Sequence, residues 1–349
     1  MGYAELNDID SMMEAFARRF LDERHPATVA CRMAGEPAAQ SDLWATVAQL
    51  GWPALLLPEP AGGMGQGLGA AWPLAVQAGR HLLTAPLVAN MTLLQRLPAE
   101  SHDGGKLAAW LEPVLTGSAA YAPAQRRPDG SLLVEYALAQ RQALAWRYSQ
   151  AGIRLELHGP CAGPAGVGID PTVGSLRLAA GRPADILDVS MSDGQRAAWL
   201  QGYRLLRAAE MLGAAWAALD AAAAHARQRQ QFGRAIGANQ AVKHRLANDW
   251  MALDDAALAG KEAARLLDDA ADEPAARACA VFELLALESA PRAAQHAIQL
   301  HGALGIAWES GMHLYLKRVL HIAAMLGGGR RRTELLDILW NDGGQAAAA

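Results

Sequence analysis

The apolar residues of this chain follow a helical spacing near both ends and a strand-like alternation in the middle. Over residues 5–110, short apolar stripes are separated by Gly and Pro, which predicts helices joined by loops. Over residues 196–340, long stripes of Ala and Leu recur at every third or fourth position. One of these stripes contains Leu205, Leu212, Trp216 and Leu219. Stripes of this length are typical of a bundle in which each helix buries one face.

Residues 111–195 differ from both flanking regions. Pro and Gly are frequent there, and three short segments alternate between apolar and polar residues: Leu132–Tyr136, Gly152–His158 and Leu176–Ala180. Alternation at every second position is typical of a strand with one buried and one solvated face. We therefore predict a small β region in which the segment at 152–158 is half-buried, with its charged residues on the solvated face.

These patterns predict a mainly α protein with a small β domain. The expected parts are a helical N-terminal domain over residues 1–110, a shortened middle β domain over 111–195 and a C-terminal four-helix bundle over 196–349. Pro291 lies inside an apolar stripe of the last part. Because proline lacks an amide hydrogen and clashes with the preceding turn, we expect it to kink or break that helix.

The composition excludes several classes of protein. The net charge of −4 argues against a nucleic-acid binder. No apolar run approaches the ~20 residues of a membrane span, and the N-terminus lacks the basic-then-apolar pattern of a signal peptide. The three cysteines are far apart, and no metal-binding spacing occurs, which argues against disulfides and structural zinc. We expect a cytoplasmic protein without a metal site.

Two polar turns in the C-terminal part are candidates for binding chemistry. Residues 227–240 read RQRQQFGRAIGANQ, and residues 299–305 read QLHGALG. Arg can hold phosphate oxygens with two hydrogen bonds, an aromatic ring can cover an adenine, and Gly lets the backbone approach a ligand closely. The simpler alternative is that both turns are helix ends, capped by Gly and surrounded by solvated charges.

In this order, and on an Ala-rich helical background, the two turns resemble those of the acyl-CoA dehydrogenases. Members of that flavoprotein family carry an R-x-x-F-G turn, a Gln about seven residues on and a Q-x-x-G-x-x-G turn two helices later. The resemblance implies FAD contacts by Arg229, Phe232, Gln240, Gln299, Gly302 and Gly305. In the family both turns reach across an interface to the flavin of a neighbouring subunit. Ala303 stands where the usual middle glycine of the second turn would be.

The resemblance also reveals two absences. The catalytic glutamate of the family corresponds to Leu326, or to Gly327 if the alignment slips by one, and its alternative position corresponds to Tyr203. The family's T-E-P-x-x-G-S-D segment, which holds the flavin of the same chain, is replaced by AAYAPAQRRPDGSLL. Glu210, two turns beyond Tyr203, is a weak candidate base, and a buried structural glutamate is the simpler interpretation. Arg330–Arg332 are candidates for binding CoA phosphates, against the simpler interpretation of a solvated helix end.

The resemblance thus implies the non-catalytic subunit of an FAD-dependent α2β2 acyl-CoA dehydrogenase, of the bacterial kind that acts on bulky esters such as steroid side chains. Its partners would be a second chain that carries the catalytic glutamate, an acyl-CoA substrate and an electron-transfer acceptor. Two alternatives stay open. The chain could be a self-sufficient homotetramer with Glu210 as an unusual base, or a catalytically dead protein that binds acyl-CoA or serves as a scaffold.

Overall fold

The computed structural model describes residues 3–33, 37–98, 103–162, 168–179, 181–270 and 272–346. The first helices are α1 (Tyr3–Arg24), α2 (Ala27–Met33), α3 (Pro37–Gln49), α4 (Leu68–Arg80), α5 (Leu87–Thr92) and α6 (Gly104–Leu115). The strands that follow are β1 (Ala122–Arg126), β2 (Leu132–Val134), β3 (Gln142–Ser149), β4 (Gly152–Pro160), β5 (Leu176–Leu178) and β6 (Asp185–Ser190). The remaining elements are α7 (Asp193–Gln228), β7 (Gln230–Gln231), β8 (Arg234–Ala235), α8 (Gln240–Asp268), α9 (Asp272–His301), α10 (Met312–Met325) and α11 (Gly328–Ala346).

The chain forms two compact units. The first, here called the helical unit, comprises Met1–Cys31, Trp72–Leu83 and Arg204–Ala349. The second, here called the sheet unit, comprises Arg32–Ala71 and Thr84–Tyr203. The mainly α fold with a small β region and C-terminal helices, predicted from the sequence, is confirmed. The three domain ranges given above stay a prediction.

Two glycines let helices of the helical unit touch backbone to backbone. A Cβ on Gly79 of α4 would lie 1.8 Å from the carbonyl oxygen of Glu210 on α7, and a Cβ on Gly213 would lie 2.0 Å from that of Val76. Because real Cβ atoms do not approach this closely, the crossing of α4 and α7 requires glycine on both helices. A third close approach occurs at Gly260 of α8, over which the Trp72 ring packs.

Helices α8 and α9 form a long antiparallel pair joined by a short loop. Their facing sides are built of small residues, among them Ala256, Ala257, Ala263, Ala264 and Ala286, all buried. Small side chains let two helices approach closely over many turns. Helix α9 runs without a break through Pro291, so a break, one of the two expected effects, is wrong, and the kink stays a prediction. Proline removes a single backbone hydrogen bond, and the packing of α9 against α8, α10 and α11 keeps the helix continuous.

The sheet unit contains a six-stranded sheet with the order β5-β2-β1-β3-β4-β6. Strands β1 and β3 are parallel, and the other neighbours are antiparallel. The three alternating segments predicted from the sequence overlap β2, β4 and β5. Strands β1, β3 and β6 lie outside those segments, so the sequence pattern located half of the sheet's strands.

One expectation for β4 is wrong, because the polar face of this strand is buried as well. Glu156 and His158 are both almost inaccessible. The Glu156 carboxylate accepts hydrogen bonds from Arg126 Nη2 at 2.6 Å and from Arg147 Nε at 2.7 Å. These charge-assisted bonds offset the cost of burying the carboxylate and, despite its burial, lower its pKa. Alternation marks which residues share a face but does not tell whether the polar face is covered.

The burial of His25 predicts a loss of stability in mild acid. This side chain has no accessible surface, and its burial, assisted by the nearby charge of Arg318, lowers its pKa from 6.5 to about 4. As the pH falls, His25 therefore binds a proton near pH 6.5 in the unfolded chain but only near pH 4 in the folded chain. Over this window we expect the free energy of unfolding to fall by up to about 3 kcal/mol on account of His25.

Denaturant unfolding of the parent chain and of His25→Gln at pH 7, 5.5 and 4.5 measures this contribution. The substitution changes stability at every pH, so the quantity of interest is the pH dependence. We expect a shallower decline for His25→Gln, since glutamine does not titrate. Equal slopes for the two proteins would contradict the assignment.

Candidate functional site

The first polar turn is a β-hairpin that presents an aromatic ring to solvent. Helix α7 ends at Gln228, and β7 and β8 pair through Gln231 and Arg234. The two residues at the tip, Phe232 and Gly233, have φ angles of 52° and 77°. Two positive φ angles are characteristic of a type I′ turn, in which Asn, Asp or Gly is usual at the first position. A bulky residue there costs roughly 1–2 kcal/mol.

The strain at Phe232 is not offset by packing within the chain. Its side chain is 98% exposed, the highest value among the large hydrophobic residues of the described structure. A strained backbone that holds an apolar ring in solvent has no stabilising role in the isolated chain. The feature therefore points to a ligand or partner that lies outside this chain.

The surroundings of this hairpin are strongly basic. Between Asp220 and Asp249 the sequence contains five Lys and Arg residues and no Asp or Glu. Arg234 donates a hydrogen bond to the side chain of Asn239, the residue before α8. Arg229 is exposed, and its guanidinium has no hydrogen-bond or ion-pair partner among the residues that the structure describes. Such a cluster attracts anions.

The second polar turn follows α9. Gly302 adopts a φ of 61° just after the helix, is exposed and has open space around its Cα. Gly305 has a different role, because it is buried and a Cβ there would lie 2.5 Å from the carbonyl oxygen of Ile298. Gln299 is exposed in the last turn of α9. Gly302 and Gln299 thus face solvent, whereas Gly305 shapes the turn from within.

The two turns lie at the same end of the helical unit. The rings of His225 at the end of α7 and His301 at the end of α9 stack with centroids 4.5 Å apart. Arg245 Nη1 on α8 donates to Gln299 Oε1 at 3.0 Å. Burial, together with the charges of His301 and Arg229, lowers the pKa of His225. We call residues 225–245 and 299–305 the basic end.

All six residues predicted to contact FAD belong to the basic end. Arg229, Phe232 and Gln240 come from the first turn, with Gln240 exposed as the first residue of α8. The sequence interpretation missed Arg245 and the two stacked histidines. Arg245 lay in the sequence without a recognisable motif, and only the antiparallel course of α8 and α9 places it beside Gln299.

The positions where the resemblance places a catalytic base hold packed, uncharged side chains. Leu326 is buried and caps the C-terminus of α10. Tyr203 is buried on α7, and its ring packs edge-on against Trp146 with centroids 5.5 Å apart. Arg204, the next residue, donates to the carbonyl oxygen of Leu326 and also to Glu283.

Glu283 is a buried carboxylate that the sequence interpretation missed. It accepts hydrogen bonds from Arg204 Nε at 3.1 Å and from Arg331 Nη2 at 3.0 Å. A signal was present in the sequence, since Glu283 lies within the apolar run VFELLAL of α9. A lone carboxylate inside an apolar run is usually buried and paired. Two guanidinium groups, those of Arg204 and Arg331, hold this one in place.

Glu210 is held in the same way. Its Oε2 accepts from Arg207 Nη1 at 2.7 Å, and its Oε1 accepts from Arg318 Nη1 at 2.9 Å. Arg318 is completely buried and also donates to the carbonyl oxygen of Leu83 at 3.2 Å. A general base must present a lone pair to its substrate and be basic enough to take a proton. Both oxygens of Glu210 instead face cations inside the helical unit.

The three arginines at the start of α11 are paired with carboxylates. Arg330 bonds Glu334, Arg331 bonds Glu283, and Arg332 bonds Glu288. These pairs favour the simpler interpretation of a charged helix end over a site for CoA phosphates.

The part of the chain that the structure describes has neither a metal-binding cluster nor a membrane-spanning helix. Nowhere in it do three or more His, Cys, Asp or Glu side chains cluster in a way that could hold a metal ion. Its helices also include none that is long and apolar enough to span a membrane.

Known proteins match this chain over most of its length. A model of the acyl-CoA dehydrogenase C-terminal domain matches residues 195–335. Acyl-CoA dehydrogenase IpdE2 of Mycobacterium tuberculosis is 31% identical over 309 residues, which cover 87% of this chain and 88% of the relative. The structure of the Tcur3481–Tcur3483 steroid ACAD is similar with a TM-score of 0.81 and 22% identity, over 99% of this chain and 100% of that chain. The ChsE4–ChsE5 complex from Mycobacterium tuberculosis gives a TM-score of 0.74 and 20% identity, over 98% of both chains.

The pairing of Glu210 predicts a large effect of removing Arg318. In Arg318→Met the carboxylate keeps one cation, and the carbonyl oxygen of Leu83 loses a donor in the interior. Breaking a buried ion pair on one side costs roughly 3–5 kcal/mol. Arg330→Met is the matched control, since its pair with Glu334 is exposed and should contribute about 1 kcal/mol or less. Denaturant unfolding of both variants measures the difference, and losses of equal size would contradict the prediction.

Proposed function

This chain belongs to the acyl-CoA dehydrogenase family, and from that premise we propose that it is the non-catalytic subunit of an FAD-dependent hetero-oligomer. The assembly would remove hydrogen from the α and β carbons of an acyl-CoA thioester. One observation carries the proposal. The turns predicted to contact flavin form a single exposed basic end, whereas both positions for the catalytic base hold buried, non-acidic side chains.

The residues of the basic end fit the diphosphate and adenine of FAD. Arg229 has donors without a partner among the described residues, and Gln299 can donate through its amide. Gly302 leaves open space in which a ligand can approach the backbone, and Phe232 presents a flat apolar ring to solvent. FAD, when bound, supplies the acceptor for the hydride that leaves the β carbon. The basic end would bind and orient the nucleotide from outside.

The chain's own carboxylates do not suit removal of the α proton. Glu210 and Glu283 are each held by two guanidinium groups, so their carboxylate oxygens already accept hydrogen bonds inside the helical unit. This argues against the alternative of a homotetramer that uses Glu210. A partner chain with a glutamate at the position equivalent to Leu326 or Tyr203 would supply the base.

The segment that replaces T-E-P-x-x-G-S-D forms part of the six-stranded sheet. Residues 119–133 form β1, a tight turn and the start of β2. In the turn, Asp129 accepts a hydrogen bond from Ser131 Oγ at 2.6 Å and pairs with Arg177. Its polar groups therefore stabilise the hairpin rather than offer a cradle to an isoalloxazine ring. This supports a flavin held by the partner and only contacted by this chain.

Exposed apolar residues provide a surface for that partner. On α8, within the second turn and just after it, six large side chains are more than half exposed: Trp250, Met251, Leu258, Leu304, Ile306 and Trp308. Exposed Trp and Met side chains are enriched at protein interfaces. We propose that the C-terminal helices form the core of the oligomer. The strain at Phe232 and the unpaired Arg229 argue against a scaffold, which has no need of an anion site.

The substrate we propose is a bulky acyl-CoA ester of steroid degradation in a bacterial cytoplasm. Support comes from the structural likeness to a steroid ACAD and from the fact that both similar structures, Tcur3481–Tcur3483 and ChsE4–ChsE5, carry the names of two components. Electrons would leave the assembly through a separate electron-transfer acceptor.

Arg229→Ala tests the role of the basic end. We expect weaker binding of FAD to the assembled enzyme, by roughly ten- to hundredfold, because a charge-assisted hydrogen bond is worth about 1.5–3 kcal/mol. Arg227→Ala is the matched control, because it removes one charge at the same helix end but lies outside the R-x-x-F-G turn. FAD release can be followed by flavin fluorescence. Equal affinities for Arg229→Ala and the parent, with the fold intact, would show that the turn is only a helix end.

Purification of the chain alone tests its dependence on a partner. We expect a colourless protein without acyl-CoA dehydrogenase activity, since neither Leu326 nor Tyr203 is a carboxylate and the sequence has no T-E-P-x-x-G-S-D segment. Co-expression with a glutamate-bearing acyl-CoA dehydrogenase chain should restore flavin absorbance and turnover, with about one FAD per pair of unlike chains. Stoichiometric FAD and turnover in the isolated chain would refute the proposal.

A further inference from the structure

We propose that Arg245 is a positioning residue that fixes the orientation of the Gln299 amide toward the diphosphate of FAD. The inference rests on the proposed function and adds a residue that lies outside both sequence turns. It starts from one hydrogen bond, in which Arg245 Nη1 donates to Gln299 Oε1 at 3.0 Å.

The chemistry of the two side chains fixes which end of the amide faces Arg245. A guanidinium group has donors and no acceptor, so the Gln299 amide must turn its oxygen toward it. The NH2 group, which lies in the same plane on the other branch of the carboxamide, then points away from Arg245. A diphosphate only accepts hydrogen bonds, so this is the orientation in which Gln299 can bind it.

Without the hydrogen bond from Arg245, that orientation of the Gln299 amide is no longer favoured over the reversed one. The terminal torsion of glutamine is broad and roughly two-fold, so both orientations are accessible to an exposed side chain. In the reversed orientation the amide oxygen would face the phosphate oxygens and repel them. Arg245 therefore removes an unproductive state before the nucleotide binds, which is the general effect of preorganisation.

The surroundings leave Arg245 free for this role. Gln299 is its sole hydrogen-bond partner among the described residues, and it forms no ion pair there. The nearest acidic residue along the sequence on its helix is Asp249, whose carboxylate bonds His296 at 2.7 Å. The stack of His225 on His301 holds the end of α9 in place beside α7. An arginine without a carboxylate partner contributes little to stability, so its placement calls for another explanation.

A double-mutant cycle separates positioning from direct contact. The assembled enzyme is freed of FAD and titrated with FAD by fluorescence, for the parent, Arg245→Met, Gln299→Ala and the double variant. If Arg245 acts through Gln299, Arg245→Met should lower affinity about tenfold in the parent, equivalent to about 1.4 kcal/mol. In the Gln299→Ala background the same substitution should change affinity by less than about twofold.

Two further variants complete the test. Arg245→Lys keeps a donor for the amide oxygen and should recover most of the affinity lost in Arg245→Met. Lys243→Met removes an equal charge two residues away and measures the effect of charge alone, for which we expect about a two- to threefold loss. Circular dichroism and size-exclusion chromatography check that each variant folds and assembles. If the isolated chain itself retains FAD, the same cycle is measured on it.

The outcomes are distinguishable from failure of the proposed function. Loss of FAD in Arg229→Ala with no loss in Arg245→Met would overturn the positioning role and leave the proposed function standing. An equal loss from Arg245→Met in both backgrounds would overturn it as well, since the guanidinium would then contact the nucleotide directly. No loss in either Arg229→Ala or Arg245→Met would overturn both.

Discussion

The antiparallel pairing of α8 and α9 is the constraint on which the basic end depends. Residues 225–245 and 299–305 are far apart in sequence. The short loop after Asp268 reverses the chain, so the start of α8 must lie beside the end of α9. The two helices approach closely at Gly260 of α8, where a Cβ would lie 2.8 Å from the Phe282 ring of α9. The site is thus a product of helix packing rather than of either turn.

The charges of the helical unit are distributed in two ways: acidic groups are paired in the interior, and basic groups are gathered at the basic end. In the helical unit, Glu210 and Glu283 are each neutralised by two arginines, so their charges stabilise the interior and are not available to a substrate. At the basic end the opposite holds, since cations accumulate without acids. A chain arranged in this way can attract and orient an anion but is poorly equipped to accept a proton.

Much of this arrangement could be predicted from the sequence, and the limits have physical causes. The R-x-x-F-G and Q-x-x-G turns were recognisable because their residue types and spacing match those of the family's turns. The strand around Ile153 could be predicted from period-two alternation, but the burial of Glu156 could not. Alternation shows which residues share a face of the strand and does not show whether another part of the protein covers that face. The sequence predicted a kink or a break at Pro291, but no break occurs, because packing against neighbouring helices outweighs the local propensity of proline. Arg245 and Glu283 act through partners on other helices, and no single stretch of sequence contains such a pair.

The crossing of α4 and α7 also constrains the order of events during synthesis. Gly79 and Gly213 meet backbone to backbone, yet more than a hundred residues separate them in the chain. At ribosomal rates of ~5–20 residues per second, α4 emerges roughly ten seconds before the helix against which it packs. Its buried face, which includes Trp72 and Leu74, has no final partner during that interval. The nascent chain therefore carries an unsatisfied apolar helix while the residues between Gly79 and Gly213, just over a third of its 349, are synthesised, and during this interval a chaperone can bind it.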